Sequence, residues 1–344
     1  MTAAPVIARD AVAMADRLRA AVAAEIEGSL AGASAAPGRI HVGWVAALDV
    51  AGCPARFRAQ GAEGWGFPGW SPATAAAAVG RAVLDEHLAR PGADGGPAPE
   101  PLEAVRAWMR AAPEAADGVA GWVAEARAAG DAGVLAATAA GAARWVAGFV
   151  RVVGWPLPPD LALLNVRREG APASPRWRPP GVDGVTVASG ADARQGRVSG
   201  AGRFALVVHR PTSSEDGPLG ERATVEAAAG ALCWGIAPEA VVVTAGDSGE
   251  RARLAVDDGV LAAGGRMVAA VVHQRVVALD RGFDPADATP SARCRWCQVA
   301  DGCDPGRAWL AGPGRWRGGL PELAATGAVG SGGPSAPAPG GPTA

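Results

Sequence analysis

The sequence predicts an α/β fold: a mixed sheet core flanked by helices, with a helical region set before or into it and a cysteine cluster near the C-terminal end. Three observations carry this expectation. After Pro156, short β-like apolar runs alternate with helical patterns in the order strand, strand, strand, helix, strand, strand, helix. Between Pro101 and Gly154 the apolar residues recur at helical spacing instead. Finally, three of the five cysteines fall within Cys294–Cys303, spaced C-x2-C-x5-C. A chain of 344 residues is long enough to bury a large core.

Taken in order, residues 5–30 predict an amphipathic helix (Val12, Leu18, Val22, Ile26), followed by a small-residue linker from Gly28 to Gly38. Residues 40–50 are apolar and lead to Cys53-Pro54-Ala55-Arg56-Phe57. Ser71-Pro72 supplies an N-cap and a first-turn proline for a helix to about Arg90. Pro101, Pro113 and Gly130 divide the stretch from Pro101 to Gly154 into three helices. The predicted strands are Leu161–Arg167, Val185–Ala188, Phe204–His209, Ala240–Ala245 and Ala252–Val256. Helices are predicted near Glu221–Trp234 and Gly259–Asp280. Pro290 on one side and Pro305-Gly306 on the other mark the cysteine stretch as a loop. The expected partition is a helix and linker over 1–38, a main domain over 39–312 and a disordered Gly/Pro/Ala-rich tail over 313–344. Within the main domain, 71–154 is the helical part, 160–280 the α/β core and 290–306 the cysteine cluster.

Composition limits the chemistry. The formal net charge is −2, so no global basic field advertises nucleic acid. There is no Tyr and no Lys, so all 32 basic side chains are Arg. A guanidinium binds phosphate well but does not act as a general base near neutral pH. Arg9, Asp10, Asp16 and Arg17 interrupt the N-terminal apolar run, and no stretch gives eighteen uninterrupted apolar residues. The expectation is a cytoplasmic protein with no membrane span and with reduced cysteines.

Three clustered thiolates are one short of a tetrahedral four-sulfur site, which points to a fourth ligand elsewhere. Cys233 lies among Ala229, Leu232 and Trp234, and reads as a buried small hydrophobe. Cys53 opens a loop-like turn with no apolar pattern around it and is the better ligand. On spacing alone, a zinc staple and an iron–sulfur cluster both remain open.

At these residues the chain resembles the iron–sulfur subgroup of RecB-like PD-(D/E)XK nucleases, which includes the AddB nuclease domain and CRISPR-associated exonucleases. The resemblance runs over residues 40–312. It rests on Cys53-Pro54-Ala55-Arg56-Phe57, Phe67-x-x-Trp70-Ser71-Pro72-x-Thr74, Gly235-Ile236-Ala237-Pro238, Asp247-Ser248-Gly249-Glu250 and Cys294-Arg295-Trp296-Cys297…Cys303. It implies a restriction-endonuclease-like core and a [4Fe–4S] cluster on Cys53, Cys294, Cys297 and Cys303, with zinc as the alternative.

In this family an Asp on one strand and an acid on the next hold Mg²⁺, with a Lys two residues on. RecB-like members add an upstream His and a downstream Gln-x-x-x-Tyr. Carried over by position, the first acid is Asp192. Val208 stands at the second acid and Arg210 at the Lys. The His position matches Arg81 counted from Trp70-Ser71-Pro72, or Leu84 if the helix is shifted by a turn. The Gln and Tyr positions match Arg222 and Glu226. No register restores a Lys to a chain that has none, so the centre reads as degenerate. His209 reads as a sheet side chain facing the helical layer, and His41 has no assigned role.

Residues 160–210 hold eight Arg against four acids, and Arg293 and Arg295 precede Trp296 beside the cysteines. Guanidinium interleaved with indole suits phosphate contact and stacking on single strands. Arg194, Arg197, Arg293, Arg295 and Trp296 are the expected DNA contacts. The expected function is DNA binding, to single strands or ends, with weak or no nuclease activity, beside a helicase or repair partner in repair or recombination. One other reading is an active Mg²⁺- or Mn²⁺-dependent exonuclease with Glu226, Glu221 or Glu215 as migrated acid. Another is an iron–sulfur scaffold or redox sensor that does not bind DNA.

Overall fold

A computed structural model describes residues 6–34, 38–61, 70–88, 98–113, 118–158, 160–164, 175–196, 203–210, 219–245, 249, 251–291, 294, 297 and 299–312. The chain divides into two units, Met1–Thr289 and Pro290–Ala344. The predicted tail over 313–344 lies outside the described residues.

The first unit is built on a five-stranded sheet. Its strands are β2 (Leu161–Leu163), β5 (Ala193–Gly196), β6 (Phe204–Arg210), β7 (Ala240–Ala245) and β8 (Arg251–Ala255), in the order β2-β5-β6-β7-β8. Every pairing is antiparallel except β6 with β7. A parallel pair needs a crossover, and α8 (Leu219–Trp234) supplies it. Each residue of β6 and β7 is buried, whereas edge strand β8 carries exposed Arg251 and Arg253. That is why the two central strands read as continuous apolar runs and the edge strand does not.

Alternation along β6 sorts the helices into two layers. Phe204, Leu206 and Val208 pack with α8, α9 (Asp258–Arg281) and α1 (Val6–Ala31). Val207 packs instead with the helical region: α4 (Pro72–Leu88), α5 (Pro101–Ala111), α6 (Val119–Ala128) and α7 (Ala132–Val153). The predicted three-way division of the stretch from Pro101 to Gly154 corresponds to α5, α6 and α7. Local signals explain the starts. Ser71 and Thr74 exchange side chain-to-backbone hydrogen bonds across the start of α4, and Asp131 and Asp257 cap α7 and α9.

The N-terminal helix does not stand apart from the main domain. Leu18, Val22 and Ile26 are buried in the same core as α8 and α9. Arg19 donates to the carbonyl of Leu232 near the end of α8. α7 and α9 are each long and apolar enough by composition to cross a membrane, yet both are packed in the core among the other helices.

A smaller sheet joins β1 (Ile40–Val42), β4 (Val185–Ala188) and β3 (Arg176–Trp177) in the order β1-β4-β3. β1 runs parallel to β4, and β3 runs antiparallel to it. The apolar stretch after residue 40 is therefore a strand followed by α2 (Trp44–Gly52), and α3 (Pro54–Gly61) follows Cys53.

The crossing of α8 and α9 depends on Gly264. A Cβ there would overlap the carbonyl oxygen of Thr224 and meet the Ala228 methyl at 2.7 Å. Gly264→Ala is expected to push the helices apart at a cost of about 1–3 kcal/mol. Chemical denaturation checks this, and an unchanged midpoint would show that the crossing has slack.

In the second unit, a 3-10 turn over Ala300–Gly302 leads through Cys303 into α10 (Asp304–Ala311). Pro305-Gly306, expected to mark a loop, instead lies in the first turn of this helix. Proline is tolerated there because the first-turn N–H groups have no helical partner to lose.

Candidate functional site

The turn from β4 to β5 reaches the middle of the first unit carrying Ser189, Gly190 and Asp192. Asp192 is 1% exposed and Glu226, on α8, is 0% exposed. The two acids are each held by a different set of donors. Arg81, on α4, donates to Asp192 Oδ1 at 2.5 Å, and the His209 N–H donates to Oδ2 at 2.7 Å. Arg222, on α8, lies 3.9 Å from Oδ2 and stacks over the Trp44 ring at 4.0 Å. Ser189 Oγ donates to Glu226 Oε2 at 2.9 Å, and the Gly190 N–H is 3.0–3.1 Å from both Glu226 oxygens. Gly190 has no room for a side chain, since a Cβ would overlap the Trp44 ring and meet Glu226 Oε1 at 2.9 Å.

Burial pushes the Glu226 carboxyl up to about 7 despite the lowering pull of Arg222 and the two hydrogen bonds. His209 behaves oppositely for the same reason: burial holds its imidazole down at about 4, against the raising influence of Asp192. Its ring sits edge-on to Trp145 and Phe149 of α7, with Nδ1 2.7 Å from Thr244 Oγ1. This is the position facing the helical layer that the strand pattern predicts.

Four of the six positions matched through the resemblance converge here. Arg81, Asp192, Arg222 and Glu226 come from helix, turn and helix into one cluster. Leu84, the alternative to Arg81, is fully buried in the helical core instead. Val208 is buried on the opposite face of β6, towards α8 and α9, and Arg210 ends β6 at 4% exposure. Of the proposed migrated acids, Glu221 is exposed at the start of α8 and Glu215 lies outside the described residues. Both oxygens of each clustered acid are occupied by protein donors, the Arg81 guanidinium among them at Asp192. Sequence reasoning missed the lid that Trp44 forms over Arg222. Nothing in the spacing of an apolar stretch announces it.

The cysteines divide between the units. Cys53 joins α2 to α3: its N–H donates to Asp49 O, and its sulfur is 3.5 Å from the Arg56 N–H. Cys233 donates to Val187 O at 3.6 Å, and burial pushes its thiol up to about 12, which keeps it protonated. In the second unit the Ser291 N–H lies 3.3 Å from Cys294 Sγ. A Cβ on Gly306 would sit 3.2 Å from Cys303 Sγ and 3.4 Å from Cys294 Sγ, so both sulfurs lie against the bare backbone there. Cys297 follows one turn after Cys294, with its N–H bonded to Cys294 O. Two of the four candidate sulfurs thus lie at one glycine, and backbone N–H groups point at the sulfurs of Cys53 and Cys294, as they do at thiolate ligands. Among the described residues, no group of three or more His, Cys, Asp or Glu is close enough to hold a metal ion.

Of the expected DNA contacts, Arg194 is half-buried on β5 and bonds the carbonyl of Gly196. Arg197, Arg293, Arg295 and Trp296 lie outside the described residues.

Fold and cluster together define a mixed α/β protein with a closed, buried ion network. Comparisons with protein-family models, with curated proteins and with solved structures find no match for this chain.

Proposed function

We propose that the chain is a RecB-like PD-(D/E)XK protein, with a restriction-endonuclease-like core, that binds DNA and does not cut it. The observation that carries this reading is the convergence of Arg81, Asp192, Arg222 and Glu226. They come from three segments distant in sequence, match four of the six positions carried over from one family's catalytic set, and share one buried cluster. A guanidinium on Asp192 supplies the positive charge that a divalent cation otherwise brings. Among the described residues there is no open oxygen pair at Asp192 for Mg²⁺, which needs at least two ligand groups besides water. The mixed sheet with helices on both faces agrees with the expected core. The resemblance to RecB-like nucleases favours a supporting role in repair or recombination.

A [4Fe–4S] cluster would be held by Cys53, Cys294, Cys297 and Cys303 and would supply a covalent clamp between distant parts of the chain, restricting the unfolded state. Anaerobically purified protein is expected to be brown, with about four irons per chain, and Cys53→Ser is expected to lose iron. A colourless protein with one zinc would reassign the site to a zinc staple. Labelled single- and double-stranded DNA incubated with Mg²⁺ or Mn²⁺ is expected to stay intact. Cleavage that disappears in Asp192→Ala would overturn the silent-centre reading and favour the exonuclease.

A further inference from the structure

The small sheet carries a second candidate site, on the face turned away from the core. Successive side chains on a strand point to opposite faces. Ile40, Val42, Trp177, Val185 and Val187 are buried in the main core. The alternate positions form the other face. There, His41 pairs with Thr186 and Arg176 pairs with Ala188. Arg39 and Arg178 continue that face, each two residues from His41 or Arg176.

The central strand offers this face only small groups: Gly184, Thr186 and Ala188. Gly184 has φ of 84°, and a Cβ there would come within 2.6 Å of the Gly38 carbonyl oxygen, so the floor stays open. The result is a cleft of about 350 Å³ with Arg39 and His41 on one side and Arg176 and Arg178 on the other. All four of these side chains are exposed. Among the described residues lining the cleft, Asp183 is the single carboxylate and none is Trp or Phe.

The geometry points to this cleft as a binding site for the phosphates of a single DNA strand. The inference rests on the DNA-binding reading above and gives it a location that the sequence did not single out. Three guanidiniums against one carboxylate favour an anion, and their planar forks match phosphate oxygens. With no Trp or Phe among its described lining residues, the cleft lacks the large stacking platforms of base-reading sites and is suited to holding backbone. Its two cationic walls stand on strands separated by the central one, about 10 Å apart. That spacing suits successive phosphates better than one small anion. β4 then leads from the cleft to Ser189 and Gly190 of the charged cluster, about 13 Å from Thr186 to Gly190 along an extended chain.

Fluorescence anisotropy with labelled oligo-dT and oligo-dA tests this. The double variant Arg176→Ala/Arg178→Ala is expected to bind at least tenfold more weakly than wild type, equally for both sequences. Its slope of log affinity against log salt is expected to be shallower by about 0.7 for each phosphate that is no longer neutralised. Arg17→Ala, an exposed arginine paired with Asp258 on another face, is the control and is expected to bind like wild type. Circular dichroism checks that the variants are folded. If wild type binds and the double variant matches it in affinity and slope, the cleft is overturned while DNA binding stands. If wild type binds neither oligonucleotide, the DNA-binding reading fails and the cleft with it. If inorganic phosphate or dTMP displaces the strand at equal phosphate concentration, the site belongs to a small phosphate ligand and the strand assignment is overturned.

Discussion

Replacing Arg81 by alanine is expected to destabilise the fold by about 3–5 kcal/mol, because removing one partner of a buried ion pair strands the other. The remaining partner, Asp192, is 1% exposed and would keep only the His209 N–H and the more distant Arg222. Arg81→Ala combined with Asp192→Asn is expected to recover part of that loss, since a neutral amide still accepts from the His209 N–H. Mn²⁺ should separate the readings of the site. It is expected to raise the thermal midpoint of Arg81→Ala, where Asp192 Oδ1 has lost its donor, and to leave wild type unchanged. Thermal and chemical denaturation with and without Mn²⁺ measure all three effects. A loss under about 1 kcal/mol for Arg81→Ala would mean that water replaces the guanidinium freely and that the cluster is not closed.

The second large effect is a pH dependence. The Glu226 carboxyl titrates at about 7 in the folded protein, against an ordinary value of 4.5. The folded state therefore holds this proton more tightly than the unfolded chain does. Its stabilising contribution is full below about 4.5 and is lost as the pH rises through about 7. At about 1.4 kcal/mol per pH unit, the loss amounts to roughly 3 kcal/mol. Glutamine mimics the protonated form and keeps an acceptor for Ser189 and Gly190. Glu226→Gln is thus expected to match wild type near pH 4.5 and to exceed it in stability at pH 8.

His209 works against this slope in wild type. Its value of about 4, below the ordinary 6.5, means that stability is present above 6.5 and lost as the pH falls through about 4. The two linkages oppose each other over much of the same range. Wild type should therefore be flatter than Glu226→Gln, whose stability should climb from pH 4 to 6.5. Urea midpoints at half-unit steps from pH 4 to 8 check both. Parallel curves for the two proteins would mean that Glu226 titrates at its ordinary value.

Much of the fold was legible because burial writes itself into periodicity. The runs at Val185–Ala188 and Ala240–Ala245 are strands over the predicted residues, since fully buried strands are continuous β-branched or small apolar stretches. The helical divisions at Pro113 and Gly130 were legible because proline and glycine act locally. β5, carrying Ala193–Gly196, was not legible. Its Ala-Arg-Gln-Gly sequence has no strand character, and it is a strand because it pairs with both β2 and β6. β1 and β3 are too short for any period, and only pairing with β4 defines them.

The candidate site divides along the same line. The sequence by itself determined which groups exist: no lysine to orient a water, an acid at 192, arginines at 81 and 222, and four cysteines free of a strongly apolar setting. Those are facts of composition and position. Only the tertiary structure decided that Arg81 rather than Leu84 turns towards Asp192, that Glu226 is clasped by Ser189 and Gly190, and that Arg39 and His41 face Arg176 and Arg178 across β4. These depend on helix rotation, strand register and burial. Each of those is set by packing between segments far apart in the chain, which no local pattern encodes.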